Sequence, residues 1–209
     1  MRVAREGWPF IGIAALILAG LGLAGWWIAF GLWLPIAIWV VAFFRDPART
    51  RVRGADLILA PADGRVVSVI PIDEPAFLGG PAIRVAIFMN VFNVHVNRYP
   101  ADGTVGLRRY TPGQFLNAAV EKASTANEQS TIGLVTPRGR LLMRQIAGLV
   151  ARRIVTDHPE GQVVHQGDRL GLIRFGSRVD LFLPANAEPA VKVGDRTRAG
   201  ETVVARWKN

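Results

Sequence analysis

Val164-His-Gln-Gly-Asp-Arg-Leu-Gly-Leu-Ile-Arg-Phe-Gly-Ser-Arg-Val-Asp-Leu-Phe-Leu-Pro184 holds a turn signal, a strand-like run, a Gly-Ser pair and a second strand-like run. Gly167-Asp168 supplies the turn, because glycine accepts backbone angles closed to other residues and an aspartate can hydrogen-bond its own neighbouring main chain. The apolar and β-branched residues on either side of Gly176-Ser177 read as two strands. The turn has a twin downstream. Val191-Lys-Val-Gly-Asp-Arg-Thr-Arg-Ala-Gly200 repeats the Gly-Asp-Arg sequence followed by another glycine, and leads into the run Glu201-Thr-Val-Val-Ala205.

Upstream the pattern continues. Leu57 to Ala60 is apolar, Pro61-Ala-Asp-Gly64 is a turn, and Arg65 to Ile70 is a β-branched run. Ala82 to Phe88 and Phe92 to Val96 are further strand candidates. Leu116 to Ala126 fits either helix or strand, whereas Gly148, Val150 and Ile154-Val155 tilt Arg140 to Ile154 toward strand. Paired Gly-Asp turns between short strands occur in biotinyl and lipoyl carriers. The expected fold is therefore mostly β: a compact antiparallel β-sandwich with biotinyl/lipoyl-like features, occupying residues 55–209. That likeness concerns fold signals, and function has to be argued from the site.

Residues 1–54 are of another kind. From Trp8 to Phe44 no residue is charged; as one straight helix this stretch would reach roughly 55 Å, against a hydrocarbon core of about 30 Å. An N-terminal helical membrane hairpin fits better, bending between Gly20 and Pro35, where Gly20, Gly22, Gly25 and Gly31 cluster. Arg2 and Arg5 precede the stretch and Arg45, Arg49, Arg51 and Arg53 follow it, which puts both ends on the cytoplasmic side. A cleaved signal peptide would be far shorter. Arg45 to Ala55 reads as a polar linker. The net charge of +9, carried by 22 arginines and 3 lysines, suits an anionic membrane surface. The basic residues are scattered without interleaved aromatics, which argues against nucleic acid. With no cysteine, disulfides, thiol nucleophiles and cysteine-ligated metals are excluded.

The Gly-Ser pair admits backbone chemistry. A serine hydroxyl beside a strained peptide can attack the preceding carbonyl and turn the amide into an ester; β-elimination and hydrolysis then leave a pyruvoyl group, an electron sink that needs no separate cofactor. The hydroxyl needs a base. His95 lies in Met89-Asn-Val-Phe-Asn-Val-His-Val-Asn-Arg98, where strand alternation sets its imidazole opposite Val94 and Val96. Asp63, in the Pro-Ala-Asp-Gly turn, could orient such an imidazole, although taken alone the turn and the strand histidine read more simply as structural. His158 and His165 read as structural, and three dispersed histidines offer no metal-ligand spacing. Arg152 and Arg153 could meet a lipid phosphate, although solvated edge residues are the simpler reading.

The run Arg174-Phe-Gly-Ser-Arg-Val-Asp180 resembles the cleavage site of the phosphatidylserine decarboxylases, especially their short bacterial and archaeal branch. The Pro-Ala-Asp-Gly turn, the histidine segment, Asn127-Glu128 and Ala147-Gly-Leu-Val-Ala-Arg-Arg-Ile154 follow in the family's order, so the likeness covers roughly Arg45 to Val193. It implies an Asp-His-Ser triad of Asp63, His95 and Ser177, and self-cleavage between Gly176 and Ser177. It also implies a β chain 1–176 and an α chain 177–209, with a pyruvoyl cofactor at position 177 that forms a Schiff base with substrate. The implied activity is decarboxylation of phosphatidylserine to phosphatidylethanolamine at the cell membrane. Longer members carry a second histidine three residues before the triad histidine, where this chain has Phe92. Either His95 serves both steps, or another group protonates the carbanion.

Two other readings stand beside it. A carrier or adaptor would want a modifiable lysine at a hairpin tip, and none of Lys122, Lys192 and Lys208 sits in a Met-Lys-Met or Asp-Lys-Ala setting. A membrane-anchored serine hydrolase would use the same three residues without cutting the chain.

Overall fold

The computed structural model describes residues 2–50, 52–149, 153–174 and 176–208. The chain divides into two compact units, residues 1–48 and 49–209.

The first unit is a pair of apolar helices, α1 (Trp8–Leu23) and α2 (Trp27–Phe43). The break at residues 24–26 falls inside the interval that the glycines marked. Neither helix has a polar face, and Leu16, Leu23, Ile28 and Leu32 are exposed, the pattern of a helix without a water-facing side. Trp33 Nε1 donates to the Ala14 carbonyl at 3.1 Å, joining the helices midway. Their outer ends meet through strands β1 (Arg2–Val3) and β2 (Arg45–Asp46), which pair antiparallel. The start of the expected linker is thus built into this unit. Residues 5–23 form the one helix among the described residues that is long and apolar enough to cross a membrane.

The second unit is mostly β. Its strands are β3 (Leu57–Leu59), β4 (Gly64–Glu74), β5 (Gly80–Met89), β6 (Val96–Arg98), β7 (Gly103–Thr111), β8 (Gln129–Thr136) and β9 (Gly139–Ala147). They continue as β10 (Ile154–Thr156), β11 (Val163–Val164), β12 (Arg169–Ile173), β13 (Ser177–Pro184), β14 (Ala187–Pro189), β15 (Arg196–Thr197) and β16 (Val203–Trp207). A single short helix among the described residues, α3 (Ala123–Ala126), ends the irregular stretch that follows β7. Eight strands form one antiparallel sheet in the order β11-β7-β8-β9-β13-β5-β4-β15, and two three-stranded sheets, β10-β12-β6 and β14-β16-β3, accompany it. Strand alternation sends Val179, Leu181 and Leu183 of β13 into one core with Val85, Ile87, Ile132, Leu134, Leu141 and Met143.

The twin turns are equivalent. In each, the aspartate carboxylate accepts the backbone N–H three residues earlier, from His165 to Asp168 and from Lys192 to Asp195, both at 2.9 Å. Arg140 to Ile154 holds strands β9 and β10, while Val150 lies outside the described residues. Phe92 to Val96 departs from expectation, since only Val96 is in a strand. Two asparagines explain the difference. Asn93 Oδ1 accepts from Asn90 N and Asn90 Oδ1 accepts from Phe92 N, each at 2.9 Å, so local side-chain bonds outcompete the ladder and make a turn.

Candidate active site

The strand-like runs flanking Gly176-Ser177 become β12 and β13, and Ser177 is the first residue of β13. It sits between Met89, the last residue of β5, and Ala147, the last of β9. The end of β5, the end of β9 and the start of β13 therefore meet in one cross-strand row. Ser177 is fully buried, and its Oγ has no hydrogen-bond partner among the described residues. A buried hydroxyl without a partner costs free energy, on the order of 1–3 kcal/mol, so its retention wants an explanation.

Gly176 precedes it with φ of 65°, in the left-handed region that only glycine enters cheaply. The main chain thus turns sharply at the very peptide the hydroxyl would attack. Gly148 explains how the carbonyl of that peptide is accommodated. A Cβ on Gly148 would collide with the Gly176 carbonyl oxygen and stand 3.0 Å from its carbon and 3.3 Å from Ala118 Cβ. The absence of a side chain there lets the two backbones touch.

His95 lies just before β6 and is fully buried, as is Val96. Its Nδ1 is 3.0 Å from the Asn93 carbonyl. A carbonyl only accepts, so Nδ1 carries the hydrogen, and a neutral ring holds its lone pair on Nε2. Its own carbonyl accepts from Ile173 N at 3.4 Å, and Val96 pairs with Leu172. The histidine is thereby fixed beside the strand that runs into Gly176-Ser177.

Asp63 occupies the turn between β3 and β4. Its Oδ1 accepts from Arg49 Nη2 and from Ala199 N, both at 2.8 Å. The turn is clamped further, because Arg98 N donates to Pro61 O and Thr197 Oγ1 to Ala62 O, each at 2.9 Å. Asp63 is thus tied to the β6 segment through its backbone neighbourhood, while its carboxylate serves Arg49 and the chain near Ala199. The bond to the imidazole Nδ1 that a hydrolase-like triad implies is taken instead by the Asn93 carbonyl. Arg49, read in the sequence as linker, is a nearly buried partner of the aspartate.

The other expectations scatter. Phe92 stands in the asparagine turn and is 70% exposed. His165, largely exposed, is 3.6 Å from Asp102, and the His158 ring lies 5.5 Å from that of Tyr99. Arg153 is exposed, and Arg152 lies outside the described residues, as does Phe175.

Sequence reasoning missed the residues that hold β13 in place. On its outer face Arg178, fully buried, donates from Nε to Asp180 Oδ1 at 2.5 Å and from Nη2 to Oδ2 at 3.1 Å. Ser124 also donates to Asp180, and Arg84 reaches Ser124 Oγ at 3.2 Å and pairs with Glu121. Arg144 stacks over Phe182 at 4.9 Å; burial pushes its pKa down from the ordinary arginine value, against the opposing charges of Asp180 and Glu74. Asn127 Nδ2 donates to Ala147 O at 2.7 Å and to Leu116 O at 2.8 Å, anchoring the irregular stretch beside Ser177. One signal was available: Arg178 and Asp180, two apart in a strand, must share a face.

Known proteins resemble this chain over nearly its whole length. The family model for phosphatidylserine decarboxylase matches residues 36–205. The phosphatidylserine decarboxylase proenzyme of Symbiobacterium thermophilum is 48% identical over 205 residues, covering 98% of this chain and 95% of the relative. The proenzyme of Magnetococcus marinus is 47% identical over 209 residues, covering 99% and 95%, and that of Nitrosomonas europaea is 47% identical over 207 residues, covering 98% and 95%.

Proposed function

The chain belongs to the phosphatidylserine decarboxylase family, and we propose that it is a membrane-bound pro-enzyme that cuts its own backbone between Gly176 and Ser177 and then converts phosphatidylserine to phosphatidylethanolamine. The observation that carries this reading is the buried, unpartnered Ser177 Oγ directly after a left-handed glycine.

In processing, His95 Nε2 takes the Ser177 hydroxyl proton and the oxygen attacks the Gly176 carbonyl carbon. The C–N bond breaks, the amine of residue 177 receives the proton, and an ester joins the two halves. Removal of the Ser177 Cα proton then expels the Gly176 carboxylate, and water replaces the remaining nitrogen, which leaves as ammonia. The site fits the pyruvoyl group that results: position 177 is walled by Met89 and Ala147, holds no hydrogen-bond partner that must be given up, and is continuous with the Arg178 amide. That group supplies an electron sink, through Schiff-base chemistry with the substrate amine, for the loss of carbon dioxide. Cutting also ends the covalent link between Gly176 and β13, at a position that is fully buried in the uncut chain.

His95 is the histidine buried at this end of the unit, so it also serves as the proton donor of turnover, in place of the extra histidine that Phe92 replaces. Asp63 holds the turn against which the β6 segment rests. The fragments 1–176 and 177–209 stay together because β13 is laddered to both β5 and β9, and β16 to β3. The apolar helices anchor the enzyme in the cell membrane, with the arginines at both ends favouring the cytoplasmic side, and so bring the catalytic unit to a substrate that stays in the bilayer. The β unit itself is a sandwich of the biotinyl/lipoyl type by its paired turns.

Intact-mass analysis of the purified protein tests the reading. It should find the fragment 177–209 with a blocked amino terminus, and Ser177→Ala should remain whole. Active protein consisting of one uncut chain with the Ser177 hydroxyl intact would overturn it in favour of a serine hydrolase.

A further inference from the structure

A line of neutral polar side chains crosses the otherwise apolar core beside Ser177. Ser130 Oγ is 2.8 Å from Thr156 Oγ1, Thr156 Oγ1 donates to Gln145 Oε1 at 2.9 Å, and Gln145 Nε2 donates to Asn97 Oδ1 at 2.8 Å. Asn97 and Gln145 are fully buried, and Ser130 is nearly so. The direction of the line is fixed. Thr156 has one hydroxyl hydrogen and spends it on Gln145, so Ser130 must be the donor to Thr156. Every donor points toward Asn97, and successive bonds in a low-dielectric interior polarise one another.

The line ends weakly. Asn97 Nδ2 donates to Met89 Sδ at 3.6 Å, and a thioether is a poor acceptor. Met89 is the cross-strand partner of Ser177, so this under-used donor faces the residue beside the buried hydroxyl that lacks a partner. Asn97 also lies two residues after His95, within the strand that the histidine leads into.

We propose that Asn97 is a positioning residue for self-processing: the directed chain holds its amide so that Ser177 Oγ accepts from it while turning its own hydrogen toward His95. The inference rests on the processing role given to Ser177. In that arrangement the hydroxyl accepts one bond and donates one, and the attacking lone pair is left aimed at the Gly176 carbonyl. The chain Ser130, Thr156 and Gln145 acts through Asn97 by keeping its carbonyl occupied and its amide pointed one way.

The test is the rate of cutting in freshly made precursor, read as the ratio of whole chain to fragments over time, for wild type, Asn97→Leu and Asn97→Asp. Asn97→Leu removes the donor and should cut at least roughly tenfold more slowly, the factor expected for loss of one buried hydrogen bond in a transition state. Asn97→Asp should cut faster than Asn97→Leu, and increasingly so as the pH falls, because a protonated carboxyl regains an O–H donor. His95, two residues away, is the nearby titratable group, so variants are compared with wild type at the same pH; Met89 and Gln145, which face Asn97 from β5 and β9, do not titrate. Melting of each variant in a Ser177→Ala background checks the fold. If the leucine variant does not fold, the isosteric aspartate variant is compared with wild type alone, slower at mildly alkaline pH and converging on it as the pH falls. An Asn97→Leu precursor that cuts at the wild-type rate, or an aspartate variant no faster than the leucine one at any pH, overturns the proposal. A wild-type precursor that never cuts would instead overturn the processing reading beneath it.

Discussion

The two faces of β13 solve the burial of polar groups in opposite ways. On the inner face Ser177 is followed by Val179, Leu181 and Leu183, and the polar groups nearby are neutral amides and hydroxyls joined one to the next. On the outer face Arg178 and Asp180 are both fully buried and share a cluster with Arg84, Ser124 and Glu121 under the 112–126 segment. The neutral line costs little to desolvate and can tune a reacting group. The ionic cluster is expensive to bury and is stable only as a complete set. One strand thus carries its chemistry on one side and its attachment on the other.

The largest expected effect comes from breaking the ionic side. Asp180→Ala leaves Arg178 buried without its carboxylate and should destabilise the uncut Ser177→Ala protein by about 3–5 kcal/mol, the range for removing one partner of a buried pair. Leu181→Ala on the opposite face should cost about 2–5 kcal/mol by creating a cavity. Denaturant titration of the two variants separates the mechanisms: adding Arg178→Met to Asp180→Ala should recover much of the first loss, whereas nothing on the outer face should rescue the second. A cost below about 1 kcal/mol for Asp180→Ala would mean that the cluster is not what fastens the outer face.

A smaller effect is expected where the two sides meet. Gly148→Ala puts a methyl group against the Gly176 carbonyl and near Ala118 of the covering segment. Overpacking against backbone costs about 1–3 kcal/mol. Because the displaced atom belongs to the peptide that is to be cut, processing should slow more than stability falls. Parallel measurement of cutting rate and melting temperature checks this, and equal changes in both would make Gly148 a packing residue only.

Much of this contrast was legible in the residues. The two Gly-Asp turns are signals local to a few positions, and both appear with the same aspartate-to-backbone bond. The apolar stretch announced itself by length, and its break falls among its glycines. Gly176-Ser177 stands between two strands, as the flanking runs indicated. What could not be read was the long-range partnership. Asp63 was expected to serve His95, yet it accepts from Arg49 and from Ala199 N, residues 14 and 136 positions away. The strand over Phe92 to Val96 failed because two asparagines could bond their own backbone, a competition that a hydrophobic pattern does not register. The line from Ser130 to Asn97 joins four strands, and no local period connects its members.

The smallest expected effect tests how strictly the inner side demands hydrogen bonds. Tyr99 is fully buried in the same core, and its hydroxyl has no partner among the described residues. Burial, reinforced by the negative charges of Asp157 and Asp168 and only partly offset by Arg108, raises its pKa well above the ordinary tyrosine value. The folded protein therefore keeps the phenol proton at a pH where the unfolded chain has begun to release it. Stability from this source is complete below about pH 10 and is lost as the pH climbs past it, by up to about 1.4 kcal/mol per pH unit until the raised pKa is reached. Tyr99→Phe removes both the unpaired hydroxyl and the titration. At neutral pH it should be neutral or stabilising by up to about 1 kcal/mol, and its unfolding free energy should fall less steeply above pH 10 than that of the parent. Denaturant titrations of the Ser177→Ala protein with and without Tyr99→Phe, at neutral and alkaline pH, measure both quantities. A loss of more than about 1 kcal/mol at neutral pH would show that the hydroxyl is bonded in the folded protein, so that this core, like the Ser130 to Asn97 line, insists on a partner for a buried hydroxyl that does no chemistry.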